Sequence, residues 1–223
     1  KLGELAGGLH GQGSFDDPCY VFRFWERKVT NEGWIHQQTT GLADKPYSGL
    51  TNIFRWEDGQ GMLANFMAEK AKAGYSSGKW KAGIAAWSKK GISISGMGRL
   101  FINAYSGGSF DTNVATIVPE NEQHFLAMYC YLNSEDFIKD IRSIDKNLKV
   151  SCNTYVKVPF NLNEWSSKAD VMYPNGFPLA YTDDPTQWIF HGHPCASVVW
   201  DEDTKTTTIG SLRQDDTVLK VAV

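Results

Sequence analysis

Short runs of β-branched and aromatic residues, separated by glycine-rich turns, predict a series of strands in the first 120 residues. The predicted strands cover residues 19–27, a short stretch near Trp34, and residues 51–56, 83–88, 92–95, 99–105 and 112–119. The last four follow one another through the turns KKG, GMG and GGSFD, a spacing typical of antiparallel strands. The pattern therefore predicts a β core whose strands are mainly antiparallel.

Helices are predicted between and after these strands. Residues 62–73, MLANFMAEKAKA, have a helix-forming composition. Within residues 120–146, apolar side chains recur at helical spacing, at Phe125, Met128, Tyr129 and Leu132. Ser134 is followed by two acidic residues and is a suitable N-cap for a further helix. Residues 148–160 return to an extended pattern that ends with Pro159 and Phe160.

These elements together predict an α+β fold, with an antiparallel or mixed β core and packed helices. From residue 161 onwards, apolar pieces are short and stand among proline, glycine and acidic residues. We therefore predict a domain over residues 1–160 and a less regular accessory segment over 161–223. The chain starts without Met and stops inside an apolar run, so we expect it to be a fragment of a longer protein.

Composition narrows the class of protein. The chain has 223 residues, of which 42% are hydrophobic and 21% charged, as expected for a soluble globular protein. It has no run of eighteen apolar residues and no signal-peptide pattern, so we expect no membrane partner. The four cysteines (Cys19, Cys130, Cys152 and Cys195) are widely spaced. We interpret them as reduced thiols, mostly buried, in a cytoplasmic protein.

Charge is distributed unevenly along the chain. The net charge is −3, but residues 1–100 carry +4, residues 101–160 carry −2 and residues 161–223 carry −5. Such asymmetry is a mild indication that the N-terminal part faces a polyanion, although scatter over a solvated surface would give the same numbers.

The stretch WIFHGHPC (188–195) raises the question of a metal site, because His191, His193 and Cys195 fall within five residues. A structural zinc site needs four ligands, usually as two spaced pairs, and no other histidine stands close to a cysteine. Asp184 and Pro185 suit the start of a short helix, so we interpret the stretch mainly as packing. A metal-dependent hydrolase that uses His191 and His193 remains an alternative.

Catalytic motifs are missing from the sequence. It has no phosphate-binding loop, no dinucleotide fingerprint, no nucleophile elbow, no zinc-deaminase pattern and no Pro-Pro-Tyr methyltransferase motif. The acidic pairs at 16–17 and 183–184 lie in turn sequences, and we interpret them as turn and cap residues. We therefore expect no catalytic residues in this chain.

Several segments, taken in order, resemble one family. They are KLGELAGGLHGQGSFDDPCYVFRFWE at the start, WEDG (56–59), WKAGIAAWSKKGISIS with FINAYSGGSFDTNVATIVP, FLAMYCYLNSEDFIKDIRSI with LKVSCNTYVKVPF, and DDPTQWIFHGHP. The ordered set, over about residues 1–195, resembles the target-recognition (specificity) region of adenine-specific DNA methyltransferases from restriction-modification and phage-defence systems.

The resemblance implies a function and partners. Such a region reads double-stranded DNA in the major groove, while a catalytic methyltransferase domain of the same polypeptide holds the flipped adenine. That domain would bind S-adenosylmethionine, and the present chain would hold no cofactor.

Under this interpretation, the chemistry of the side chains selects candidate DNA-binding residues. Cations that could neutralise phosphates or donate to guanine are Lys79, Lys81, Lys89, Lys90 and Arg99. Amides that could bind adenine through two hydrogen bonds are those of Gln37, Gln38 and Asn103. Arg55 and Tyr105 complete the candidate set. A carbohydrate-binding module, suggested by eight tryptophans on a β scaffold, is the second alternative.

Overall fold

The protein is described by a computed structural model that covers residues 1–24, 26, 33–43, 45–75, 78–178, 196–201, 203 and 206–212. The strands are β1 (Ala6–His10), β2 (Val21–Arg23), β3 (Trp34–Gln38), β4 (Asn52–Arg55), β5 (Gly91–Ser95), β6 (Ile102–Tyr105), β7 (Ser109–Phe110), β8 (Val114–Pro119), β9 (Ala196–Asp201) and β10 (Thr206–Leu212). The helices are α1 (Asp17–Tyr20), α2 (Met62–Lys72), α3 (Phe125–Leu132), α4 (Glu135–Ile144), α5 (Cys152–Tyr155) and α6 (Leu162–Met172). The predicted α+β class is confirmed.

Two four-stranded sheets organise residues 1–178. The first has the order β1-β8-β5-β6 and is antiparallel throughout. The second has the order β2-β4-β3-β7, in which β3 and β7 are parallel and the other pairs antiparallel. Strands β9 and β10 form an antiparallel hairpin.

The two faces of the first sheet have different partners because side chains alternate along each strand. Ile92 and Ile94 of β5 point to one face and belong to the main hydrophobic core, which includes Phe125 and Met128 of α3. Ser93, between them, points to the opposite face and accepts a hydrogen bond from the Gln38 amide of β3 at 2.9 Å. Helices therefore cover one face of this sheet, and the second sheet contacts the other.

Most local predictions are confirmed. Helix α2 lies within residues 62–73, and strands β3, β4, β5, β6 and β8 fall where the pattern placed strands. The Ser134 hydroxyl accepts a hydrogen bond from the Phe137 amide at 3.2 Å, as expected of the N-cap of α4. No helix among the described residues is long and apolar enough to cross a membrane.

Three local predictions are wrong. Residues 83–88 are not a strand, because Ile84–Ala86 form a 3-10 helix after Gly83, which has a φ of +76°. The predicted strand at 19–27 begins only at Val21, since Asp16 and Pro18 start the short helix α1 first. The extended segment 148–160 contains helix α5, which packs against β1.

The packed body continues beyond residue 160. Helix α6 lies against α3, where Trp165 is 5.3 Å from the ring of Tyr131 and only 7% exposed. Trp165 and Ala169 belong to the same core cluster as the first sheet. Residues 161–172 therefore contribute to the core that lies under the first sheet.

This packing predicts that truncation of Trp165 destabilises the whole body. Trp165→Ala is expected to lower the free energy of unfolding by about 3–5 kcal/mol, because it leaves a large cavity under α3. Val171→Ala, on the same helix but 81% exposed, is expected to cost less than about 0.5 kcal/mol. Urea unfolding of both variants measures the difference, and equal small losses would show that α6 is not part of the core.

Candidate nucleic-acid interface

Three tryptophan rings form a cluster at one side of the second sheet. Trp56 follows β4, and its ring centroid lies 5.4 Å from that of Trp80 and 5.1 Å from that of Trp87. Trp80 lies in the 3-10 helix Gly78–Lys81 and packs in a cluster with Leu63 and Met67 of α2. We call Trp56, Trp80 and Trp87 the tryptophan cluster, because it fixes the backbone of residues 78–90 against the second sheet.

The exposed lysines of this segment surround the cluster. Lys79, Lys81 and Lys89 are exposed. The Lys81 ammonium lies 4.6 Å from the ring centre of Trp80, and Lys89 follows Trp87 by two residues. Lys90 is also exposed, but its ammonium lies 4.3 Å from the ring centre of Phe125, the first residue of α3. Three of the four predicted lysines therefore lie within two residues of a tryptophan of the cluster, and the Lys81 ammonium contacts the ring of Trp80.

A further exposed cation, Lys70, lies on α2. Lys70 is exposed and its ammonium lies 5.2 Å from the ring centre of Phe66, which packs against the cluster that contains Trp80. Lys70 escaped the sequence-based selection because it lies on a predicted helix and not in a turn between strands. We call the three lysines next to the tryptophan cluster, Lys79, Lys81 and Lys89, the basic face.

A sequence signal for this face is the absence of acidic residues. Residues 70–110 contain seven Lys and Arg residues and no Asp or Glu. Two of the acidic residues that precede this segment are paired, Glu57 with Arg55 at 2.9 Å and Glu69 with Lys72 at 2.7 Å. The basic face therefore carries an excess of positive charge.

The structure separates two predicted arginines from the basic face. Arg99 lies in the turn between β5 and β6, at the opposite end of β5 from Lys89. There it lines a cavity of about 340 Å³ together with Leu132 and Arg142. Arg55 is half-buried, pairs with Glu57 and lies 5.8 Å from the ring centre of Trp34.

The predicted amide readers are buried in the interior. Gln37, Gln38 and Asn103 are between 1% and 3% exposed. The Gln38 amide donates to the Ser48 and Ala104 carbonyls and to the Ser93 hydroxyl. These hydrogen bonds hold the two sheets together.

The other two buried polar candidates also bind backbone. The Asn103 amide donates to the backbone carbonyls of Leu42 at 2.9 Å and Lys45 at 2.6 Å. Tyr105 is 1% exposed, and its hydroxyl donates to the Gly108 carbonyl. In this conformation, none of the buried candidates presents its polar atoms to a base edge.

The loop between β1 and α1 lies beside the basic face. Its Gly13 amide donates to the Lys79 carbonyl at 3.2 Å, and the Gln12 side chain donates to the Trp80 carbonyl at 2.8 Å. Phe15, at the outer end of this loop, is 57% exposed and has a φ of +63°. A large apolar ring in a left-handed backbone conformation is uncommon, and such strain occurs often at functional sites.

Two titratable groups near this loop have shifted pKa values. Burial raises the pKa of Asp111 above its ordinary value, although hydrogen bonds from Thr39 and Asn113 oppose the shift. A hydrogen bond to the Asp16 side chain raises the pKa of the exposed Cys19 thiol, which lowers its thiolate fraction. Cys19 therefore lacks the depressed pKa typical of a nucleophilic cysteine.

The remaining sequence-based candidates concern metal and thiols. Cys130 and Cys152 are buried free thiols, as predicted, whereas Cys19 is exposed. Within the described residues, no group of three or more His, Cys, Asp or Glu side chains could hold a metal ion. His191, His193 and Cys195, together with the predicted helix start at Asp184, lie outside the described residues.

Comparison with known proteins adds no assignment. No family model matches the chain, and no curated protein matches it. The geometry of the basic face and its adjoining loop is therefore the basis for a functional proposal.

The buried amides predict a purely structural effect of substitution. Asn103→Ala is expected to lower the free energy of unfolding by about 1–3 kcal/mol, because the carbonyls of Leu42 and Lys45 lose their donor. Asn65→Ala, an exposed amide on α2, is expected to change it by less than about 0.5 kcal/mol. Chemical denaturation tests both, and an Asn103→Ala variant as stable as the unsubstituted protein would contradict the role.

The backbone at Phe15 predicts a second stability effect. A left-handed φ destabilises the folded state by about 1–2 kcal/mol when the residue is not glycine. Glycine avoids this penalty, but its greater freedom in the unfolded chain cancels part of the gain in stability. Phe15→Gly is therefore expected to be more stable than Phe15→Ala by up to about 1 kcal/mol. Thermal unfolding of the two variants measures the effect of backbone strain on stability, because both variants lack the ring. A more stable alanine variant would show that the residue is unstrained.

Proposed function

We propose that this chain binds double-stranded DNA as the target-recognition region of an adenine-specific DNA methyltransferase. The observation that carries the proposal is the basic face, in which exposed lysines surround a tryptophan cluster within a segment that lacks acidic residues. Lysine ammonium groups neutralise phosphates and release condensed counterions, and this contribution dominates non-specific affinity for DNA.

The rigid backbone of residues 78–90 supports a role for these lysines in binding DNA, beyond contact with solvent alone. Lys79 and Lys81 lie in the 3-10 helix Gly78–Lys81, and Lys89 follows the 3-10 helix Ile84–Ala86. Trp80 and Trp87 fix the backbone of this segment by packing on Trp56. Phosphate contacts set the register of a duplex on a protein, so lysines on a fixed backbone can hold DNA in one orientation. Flexible lysine side chains then adapt to the phosphates without moving the scaffold.

The proposal assigns phosphate binding to this chain and leaves base reading to exposed groups. Of the buried amides that were predicted to bind adenine, those of Gln38 and Asn103 donate to backbone carbonyls of the scaffold, and Gln37 is only 2% exposed. Transfer of the methyl group, and binding of S-adenosylmethionine, would belong to a catalytic domain of the same polypeptide. We further propose a cytoplasmic location, where such an enzyme meets DNA.

The carbohydrate-binding alternative gains no support from the described tryptophans. Sugar stacking needs an aromatic ring with a free face. Trp56, Trp80 and Trp87 pack against one another, Trp34 packs against Phe22, and Trp165 packs against Tyr131. The lysines around the tryptophan cluster favour a polyanion instead.

The basic face predicts that affinity for duplex DNA falls as the salt concentration rises, and that three lysines account for most of this dependence. Each phosphate contact contributes about 0.9 to the slope of log affinity against log salt, so replacing three contacts removes roughly 2.7. Between 50 and 200 mM salt, the unsubstituted protein is expected to lose on the order of 40-fold more affinity than the variant with Lys79→Gln, Lys81→Gln and Lys89→Gln. Fluorescence anisotropy with a labelled mixed-sequence duplex measures both slopes.

A matched variant controls for net charge. Lys146→Gln, Lys149→Gln and Lys157→Gln remove the same charge from exposed positions outside residues 70–110. This triple variant is expected to keep the slope of the unsubstituted protein. Equal losses in the two triple variants would show that the basic face has no special role, and an absence of salt-dependent binding would refute the proposed function.

A further inference from the structure

Phe15 combines features that a purely structural loop residue would not need. The residue is 57% exposed, although phenylalanine is a residue that folding normally buries. Its φ of +63° is unfavourable for any side chain with a Cβ. A glycine would relieve the backbone strain, and a polar residue would suit the solvent. Packing within this chain therefore does not explain why an aromatic residue occupies this position.

The residues that precede Phe15 in the loop are held by hydrogen bonds and close packing. The Gln12 amide donates to the Phe110 carbonyl at 2.7 Å, and the Gln12 side chain accepts from the Ser109 hydroxyl at 2.5 Å. Gly11 lies so close to β7 that a Cβ there would stand 1.8 Å from the Asp111 carbonyl oxygen. Residues 11–13 thus have little freedom to move.

The outer side of the loop is held as well. The Ser14 hydroxyl donates to the Asp17 carboxylate and accepts from the Asp16 amide, at 3.1 Å in the latter case. Asp16 and Pro18 then begin helix α1. The ring of Phe15 consequently projects from a loop that is braced on both sides.

The same loop is joined to the basic face. Gly13, two residues before Phe15, donates its amide to the carbonyl of Lys79, and Gln12 bonds the carbonyl of Trp80. The ring and the lysines therefore project from backbones that are hydrogen-bonded to one another. A duplex held by phosphate contacts at the basic face would approach this loop.

We propose that Phe15 is a base-stacking residue, which inserts its ring beside a nucleobase when DNA occupies the basic face. Apolar side chains that enter a base step unstack it, and aromatic rings replace part of the lost stacking. A rigid loop suits this role because the ring does not have to be ordered on binding. The inference rests on the proposed function, since the nucleobase belongs to the DNA that the lysines hold.

The test uses two labelled duplexes of the same mixed sequence, one fully paired and one with a single central mismatch. A mismatched base is easier to unstack, so insertion of a ring is expected to favour the mismatched duplex. Phe15→Ala is expected to weaken binding to the mismatched duplex by about 5- to 150-fold, the range for loss of one aromatic stack. Its salt slope is expected to equal that of the unsubstituted protein.

Two further variants make the result specific. Phe15→Trp restores an aromatic ring and is expected to keep the preference for the mismatch. Met172→Ala removes another apolar side chain with the same 57% exposure and is expected to change neither affinity nor preference. A 2-aminopurine beside the mismatch gives a second readout, because its fluorescence rises when the neighbouring base unstacks.

The outcomes separate this inference from the proposed function. If Phe15→Ala and the unsubstituted protein bind both duplexes equally, with the same salt slope, Phe15 does not stack on a base. That result would leave the DNA-binding function standing and would overturn the stacking role of Phe15. If the unsubstituted protein shows no salt-dependent binding to either duplex, the proposed function and the role of Phe15 are both wrong.

Discussion

The candidate site depends on three hydrogen bonds made by one buried residue, Gln12. Its amide donates to the Trp80 carbonyl, its carbonyl oxygen accepts from Ser109, and its backbone amide donates to Phe110. The three bonds join the loop after β1 to β7 and to the lysine-bearing segment. Because Gln12 is only 1% exposed, unmade bonds would leave polar groups without water. Buried hydrogen bonds therefore fix the loop that carries Phe15 relative to the backbone of Lys79 and Trp80.

The elements that could be predicted from sequence are those with local signals. Helices α2 and α4 follow from composition and the Ser134 cap, and β5 follows from alternating isoleucines and serines. Strand β1 was missed because Gly7 and Gly8 interrupt its pattern. Gly8 is nevertheless suited to its place, since a Cβ there would lie 2.9 Å from the Cys152 carbonyl oxygen of α5. That reason is a contact between distant segments, which sequence periodicity does not contain.

The candidate site was predictable to a similar degree. Lysine side chains are exposed in most folds, so the exposure of Lys79, Lys81 and Lys89 could be predicted from residue type, although the strand predicted between them is a 3-10 helix. The exposure of amide side chains could not be predicted in this way. The same donor and acceptor groups that can bind adenine can also form hydrogen bonds between two sheets. Whether Gln38 faces solvent or Ser93 is decided by how the two sheets stack. Phe15 was not selected either, since its exposure and its φ are properties of the folded loop alone.

The two parts of the site place different demands on the structure. Lysines act at a distance on phosphates that any duplex offers, and their side chains can move with little loss of affinity. A stacking ring acts only at van der Waals distance, so an error of position removes its effect. Under the proposed function, the lysines need only a fixed backbone, whereas a stacking ring needs a fixed position, which fits the hydrogen bonds on both sides of Phe15. Three other described non-glycine residues, Glu57, Asp58 and Ser88, also have a positive φ, and among the four only Phe15 carries an apolar side chain.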